Sequence, residues 1–439
     1  MADYQPKDIR NIAFLGHGSE GKTTLTESML YAAGHIDRQG RVEDGNTVSD
    51  FDPEEIKRSI SINTSIAPVE WKGTKVNIID VPGYFDFVGE MMGPVRVTQT
   101  VGIVINAVNG ITVGAEKAWN MAEKNGLSRM FIVNQMDREN ANFDKVLERL
   151  RETYGGSVVP LLVPIGAGAN FRGVVNVLEG TAFEGANKTL KSIDVPAELT
   201  ARLKDDEMVI TEASAEAIDE LLEKFFSEGE LSHDEVLEGF RAGMKSGKIV
   251  PVVCCSAVTG VGVAPLLDIM KSYLNWPSGT VAEGVNPKND EPVQRKCVNE
   301  EPFSAFVFKT IADPFVGKLS LVRVMSGVLT PATALYNAND EKAEKSGGLF
   351  MLRGKKQSAA QQLNAGDIGA LSKLQFTSTG DTLCDAAAPI RYPELVYPLG
   401  NFSKAVYAAK QGEEDKVFSG INKLMEEDPS IKIEKNTET

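Results

Sequence analysis

Gly16-His17-Gly18-Ser19-Glu20-Gly21-Lys22-Thr23 decides the fold. Two glycines bracket four residues and are followed by a lysine and a hydroxyl residue, the spacing of a loop that cradles phosphate. Each part has a physical task. Gly16 and Gly21 let successive N–H groups curl around an oxyanion without Cβ clashes. Lys22 carries a cation to the β and γ oxygens, and the Thr23 hydroxyl suits Mg2+. The helix that opens at Thr24 turns its positive end toward the anion. His17, Gly18, Ser19, Glu20 and Thr24 complete the nucleotide-facing set. A plain glycine turn before a helix is the bland alternative. Against it, a short apolar strand, Ile12 to Leu15, leads in and a helical stretch, Thr24 to Ala32, leads out.

Three later pieces fit the same loop. Asp80-Val81-Pro82-Gly83 follows the apolar run Val76 to Ile79. An aspartate at a strand end holds Mg2+ through water, and the Gly83 N–H reports on a γ-phosphate. Asn134-Gln135-Met136-Asp137 follows Phe131 to Val133. The Asp137 carboxylate can accept two hydrogen bonds from guanine, a pattern adenine lacks. Ser256-Ala257 follows the apolar run ending at Cys255, which aims the Ala257 N–H at the guanine carbonyl. Short Asp-x-x-Gly matches are common turns when they stand alone. Four pieces in order, each at the C-terminal end of a strand, point to guanine nucleotide at the edge of an open α/β sheet. A phosphate-loop ATPase is the competing reading, and Asp137 argues against it.

Composition agrees. The 439 residues carry 46 Lys and Arg against 61 Asp and Glu, a net charge of −15, with 42% hydrophobic residues. Such a chain builds real cores and is poorly suited to binding nucleic acid by spread positive charge. Sequence-specific nucleic-acid binding is not expected. Four cysteines and no signal-like start fit a reducing cytoplasm. The uncharged run Ile249 to Leu267 is interrupted by Pro251, Pro265, Gly260 and Gly262, so strand and turn are expected rather than a membrane span.

Alternating strand and helix patterns predict a parallel sheet up to about Tyr154, with Gly102 to Ala107 as a further strand and Val113 to Lys124 as the clearest helix. A small α+β unit inserted at about 158–248 follows, with strands Val158 to Ile165 and Gly173 to Leu178, an acidic helix Leu203 to Phe226 and a helix Asp234 to Met244. Short runs from Phe303 to Asp385 predict a closed β-barrel: Ala305 to Lys309, Leu319 to Met325, Leu349 to Leu352 and Ile368 to Leu371. The tail reads as strand, helix and strand: Asn401 to Tyr407, an amphipathic stretch around Val417 to Met425, and Ile431 to Ile433.

These motifs make the chain resemble the translational GTPases of the elongation factor G family, and within it the elongation factor G-like paralogues. Gly40 to Gly45, Ser49 to Glu55 and Arg58 to Ile62 resemble the first switch region. Ala312-Asp313-Pro314-Phe315-Val316-Gly317 and Gly380 to Asp385 resemble the second, barrel domain, and Phe402 through Pro429 the opening of the third. The resemblance implies an α/β P-loop GTPase domain with an α+β insertion (1–284), a translation-factor β-barrel (285–397) and part of a ferredoxin-like α+β domain (398–439). It implies a GTPase that works on the ribosome, binds GTP or GDP with Mg2+, and is monomeric. The chain looks like a truncated product that binds nucleotide without translocating. Thr23, Ser61 and Asp80 are assigned to the metal, and Lys22, Gly83 and Tyr84 to catalysis.

The departures are specific. Tyr84 stands where the family has a histidine that orients the attacking water, and a phenol has one hydroxyl where an imidazole has two nitrogens. Ser19 replaces an aspartate, Gln135 a lysine of the base-reading motif, and Ser61 a threonine, keeping its hydroxyl. Intrinsic hydrolysis is therefore expected to be slow, and a regulatory nucleotide switch that scarcely hydrolyses is the alternative.

Overall fold

The computed structural model describes residues 3–313, 317–400, 402–410 and 412–434. Ile9–Leu15 (β1) is buried along its whole length, the condition of a central strand covered on both faces. The chain continues through α1 (Lys22–Ala32), α2 (Pro53–Arg58), β2 (Ser65–Trp71), β3 (Thr74–Asp80), α3 (Met92–Val97), β4 (Thr100–Asn106), α4 (Val113–Lys124), β5 (Ser128–Asn134), α5 (Phe143–Tyr154) and β6 (Val158–Pro160). A four-stranded antiparallel sheet follows: β7 (Leu162–Ile165), β8 (Gly173–Asn176), β9 (Thr181–Glu184) and β10 (Lys191–Ile193). Helices α6 (Thr200–Ala215), α7 (Asp219–Glu228) and α8 (His233–Ser246) then return the chain to β11 (Val250–Cys254) and α9 (Val263–Tyr273).

The main sheet has the order β2-β3-β1-β4-β5-β11-β6. Its pairings are parallel except for β2, which runs antiparallel to β3. The cause is local. Lys72 and Gly73 both adopt positive φ (46° and 85°), the pair of left-handed residues that a two-residue hairpin requires. The wholly parallel sheet expected from the sequence is thus a mixed one. β1, β3, β4, β5 and β11 run in one direction, so the loops after β1, β3, β5 and β11 open onto one edge, and strand order switches sides at β1, between β3 and β4, the usual ligand position of such sheets.

The run Val158 to Ile165, expected as one strand, divides. β6 pairs with β11 in the main sheet, whereas β7 opens the second sheet. Pro160 has no N–H to extend the ladder, which suits it to a sheet edge. The acidic helix expected over Leu203 to Phe226 is two helices, separated where Ile218 turns extended (φ −133°).

β12 (Val281–Val285) and β13 (Pro292–Lys296) form a hairpin. An eight-stranded antiparallel, barrel-like sheet follows, made of β14 (Ser304–Asp313), β15 (Gly317–Ser326), β16 (Leu335–Asn337), β17 (Lys342–Glu344), β18 (Gly348–Arg353), β19 (Lys356–Ala359), β20 (Ile368–Ser372) and β21 (Thr382–Cys384). It closes on a separate core that includes Val307, Val322, Val324, Leu349, Leu371 and Leu383. Pro314, Phe315 and Val316 of the barrel motif, and Asn401 at the start of the expected tail strand, lie outside the described residues.

The tail corrects the sequence reading. Its helix is present as α10 (Glu414–Glu427), but residues 402–407 and 431–434 form no strand. A strand needs a neighbour to accept its N–H groups, and none of the described strands pairs with these segments. None of the apolar residues on α10 is fully buried. The helix is instead tethered at its end, where Glu427 accepts from the Ala312 N–H at 2.7 Å.

Candidate functional site

The phosphate loop closes between β1 and α1. Gly16 has φ 139°, and a Cβ there would lie 2.3 Å from the Val104 carbonyl oxygen. Gly21 (φ 86°) caps α1 in the left-handed region, and Ser19 shares it at φ 65°. Lys22 is buried, and its ammonium donates to the carbonyls of Gly16 (3.1 Å) and His17 (2.8 Å). Burial pushes the Lys22 pKa down to about 8, against the pull of Asp80, Glu20 and Asp50. Glu20 does not face the phosphate position. It accepts from the Asn106 amide at 2.7 Å and fastens the loop to the end of β4. Thr24 sits half-buried in the first turn of α1.

The structure brings the three expected metal ligands together. The Thr23 and Ser61 hydroxyl oxygens are 3.1 Å apart. Asp80, only 2% exposed, has neither carboxylate oxygen at hydrogen-bond geometry with a donor. Burial pushes its pKa up to about 6. The sequence reading gave no role to Asp50, which joins this cluster. One of its carboxylate oxygens is buried without a partner. Burial and the nearby Asp80 charge push it up to about 7. Buried carboxylate oxygens without partners on Asp80 and Asp50, beside two hydroxyls, are a hard-oxygen donor set, and these residues fit a magnesium ion.

The base-reading loops meet behind the phosphate loop. The Asn134 amide donates to the Glu20 carbonyl (3.0 Å), and its oxygen accepts from the Ala257 N–H (2.9 Å). That N–H was expected to face guanine and here serves Asn134 instead. It is held there because β5 and β11 are neighbours and end side by side. Asp137 accepts from the Ser256 hydroxyl at 2.6 Å, while its other oxygen makes no hydrogen bond among the described residues. Gln135, at φ 63°, donates to the Ser19 carbonyl at 3.0 Å. The glutamine that looked like a loss in the sequence thus ties the base loop to the phosphate loop.

Residues 39–63 are stapled down by carboxylates that the sequence reading passed over. Glu27 on α1 accepts from the N–H groups of Gly40 (3.0 Å) and Val48. Glu55 accepts from Asp52 (3.0 Å), Ile62 (3.0 Å) and Asn63 (2.9 Å). Gln39 donates to the Ala257 carbonyl at 2.8 Å, joining this segment to the base loop. Their only sequence signal was Asp52-Pro53-Glu54-Glu55, which forms a capping box at the start of α2.

Tyr84 is 37% exposed and lies over Gly18. The next residue, Phe85, is flanked by the His17 ring (5.6 Å between centroids) and the Lys117 ammonium (3.7 Å from its centroid). Farther along, Glu90 accepts both from Lys309 of the barrel (2.7 and 2.6 Å) and from the Thr64 N–H. The segment after Gly83 therefore touches the phosphate loop at one end and the barrel at the other.

Fold and site together define a phosphate-loop GTPase. Residues 7–276 match the family described as elongation factor Tu GTP binding domain. Residues 302–386 match elongation factor G domain 2, and residues 397–439 match elongation factor G domain III. A crystal structure from Thermus thermophilus superimposes with a TM-score of 0.87 at 30% identity, covering 99% of this chain and 63% of that one. The chain belongs to the translational GTPases of the elongation factor G type. No helix among the described residues is long and apolar enough to cross a membrane.

Proposed function

We propose that this protein binds GTP and GDP with Mg2+ in the cytoplasm, as a monomer, and hydrolyses GTP when it meets the ribosome. One observation carries the proposal. Lys22, the Thr23–Ser61 hydroxyl pair and the unpartnered Asp80 converge on the sheet edge that also holds Asn134 and Asp137. Thr23, Ser61 and Asp80 would hold Mg2+, which when bound would neutralise charge on the nucleotide's phosphates. Lys22 exchanges its two carbonyl partners for phosphate oxygens. Gly83 supplies an N–H to the terminal phosphate, and Asp137 grips the guanine edge. Catalysis of this kind is positioning and charge, so a phenol where an imidazole would orient the attacking water keeps the intrinsic rate low until a partner supplies that positioning.

A second reading, a guanine-nucleotide switch that scarcely hydrolyses, draws support from the seat of Tyr84 on Gly18. One experiment separates the two: single-turnover GTP hydrolysis by the full-length protein with and without ribosomes. Strong acceleration is expected. A rate that ribosomes leave unchanged would favour the switch instead.

A further inference from the structure

Gly18 and Gly83 are glycines for the same reason, and it is not backbone freedom, since neither has the positive φ that would demand glycine. Both are short of space. A Cβ on Gly18 would lie 2.8 Å from Tyr84 Cζ and 3.0 and 3.1 Å from the two flanking ring carbons. A Cβ on Gly83 would lie 2.3 Å from Lys22 Nζ and 2.7 Å from the Gly18 nitrogen. The ring tip of Tyr84 thus rests where a side chain at position 18 would be. Seated there, it brings the Gly83 backbone against the amine that serves phosphate oxygens. Phe85, between His17 and Lys117, holds the segment from the far side. The Tyr84 hydroxyl makes no hydrogen bond among the described residues, so the contact belongs to the ring and not to the oxygen.

Resting on the nucleotide-binding reading above, we propose that Gly18 and Tyr84 are a matched steric pair that sets the preference between guanosine diphosphate and triphosphate. With the ring seated, residues 83–84 cover the end of the cradle beyond the β position. A diphosphate fits beneath them, whereas a third phosphate must lift them off Lys22. The apparent triphosphate affinity is then reduced by the fraction of molecules with the ring raised. In this pair Tyr84 acts through shape and Gly18 is a positioning residue.

The test is equilibrium titration of fluorescent GDP and a non-hydrolysable GTP analogue in Mg2+, for the wild type and four variants. Gly18→Ala unseats the ring and should raise triphosphate affinity relative to diphosphate by about threefold to tenfold. Tyr84→Ala should do the same. The double variant should go no further than Tyr84→Ala alone, because the two changes remove one contact. Tyr84→Phe, which keeps the ring, should keep the wild-type ratio of triphosphate to diphosphate affinity. A glycine needed only for loop structure would instead weaken both nucleotides together in Gly18→Ala, with no rescue by Tyr84→Ala. That result, or an unchanged ratio in both single variants, overturns the pairing. A wild-type protein that bound neither nucleotide would overturn the underlying site assignment as well, and so is distinguishable.

Discussion

Two lysines in this molecule are buried beside aspartates, and their surroundings differ in one respect. Lys75, at 0% side-chain exposure, reaches from β3 into the barrel and meets Asp367 at 2.7 and 2.8 Å. Asp367 also accepts from the Asn77 amide (3.1 Å) and the Ile368 N–H (2.8 Å), so both charges are met from within. Lys22 has only carbonyl partners, and of the three carboxylates that pull on it, Asp80, Glu20 and Asp50, the two aspartates keep unpartnered oxygens. A buried charge satisfied inside the chain joins domains. One left unsatisfied is held for charges that arrive from outside, which is why strongly shifted groups collect at functional sites.

The comparison can be broken by removing each lysine in turn. Lys75→Met leaves the buried Asp367 without its cation, and should cost about 3–5 kcal/mol of stability in denaturant unfolding. Adding Asp367→Leu should restore most of it. A loss well under about 1 kcal/mol would show that the interface does not depend on the pair. Lys22→Met should behave oppositely. Burial already lowers the Lys22 pKa to about 8, below its ordinary value, so the charged form is disfavoured in the fold. The variant should be as stable as the wild type or more so, yet bind guanine nucleotide roughly a hundredfold more weakly, about 2.7 kcal/mol. Parallel losses of stability and binding would erase the distinction.

The smallest effect is in pH. Asp80 and Asp50 have folded pKa values of about 6 and about 7, both raised from the ordinary 3.8. Raised carboxylates favour the fold most when protonated. Without metal, their contribution to stability is therefore full below the ordinary carboxylate value of 3.8, falls as pH rises from there, and is gone above about 6 to 7. Magnesium requires the ionised forms, so its affinity should fall about tenfold per pH unit for each proton displaced below those values, about 1.4 kcal/mol. Thermal unfolding with GDP, with and without EDTA, should show a Mg2+-dependent gain that is large at pH 8 and small at pH 5.5. A gain independent of pH would place the metal on other ligands.

Much of the site was legible because its chemistry is local. The loop from Gly16 to Thr23 carries its glycines, cation and hydroxyl within eight residues, and the apolar strands before Asp80, Asn134 and Ser256 mark where each motif emerges. What escaped is carried by contacts between distant segments. Glu27 on α1 staples Gly40 and Val48, and Gln39 reaches Ala257, 218 positions away in sequence. Nothing around these residues in the sequence distinguishes them from ordinary surface polar groups. The contact of Gln135 with the Ser19 carbonyl could not be read from the sequence, where it shows only as a substitution for lysine. The tail failed in the other direction. Asn401 to Tyr407 and Ile431 to Ile433 have strand-like composition, but composition says nothing of a partner to pair with.

By itself, the sequence determined that this chain folds as a phosphate-loop α/β domain followed by a β-rich one, since burial periodicity and glycine geometry act over a few residues. It took the tertiary structure to settle which carboxylates stay unsatisfied, which ones staple residues 39–63, and that Tyr84 rests on Gly18. Those outcomes depend on distances between residues that the chain brings together only after the sheet has formed, and no local preference encodes them.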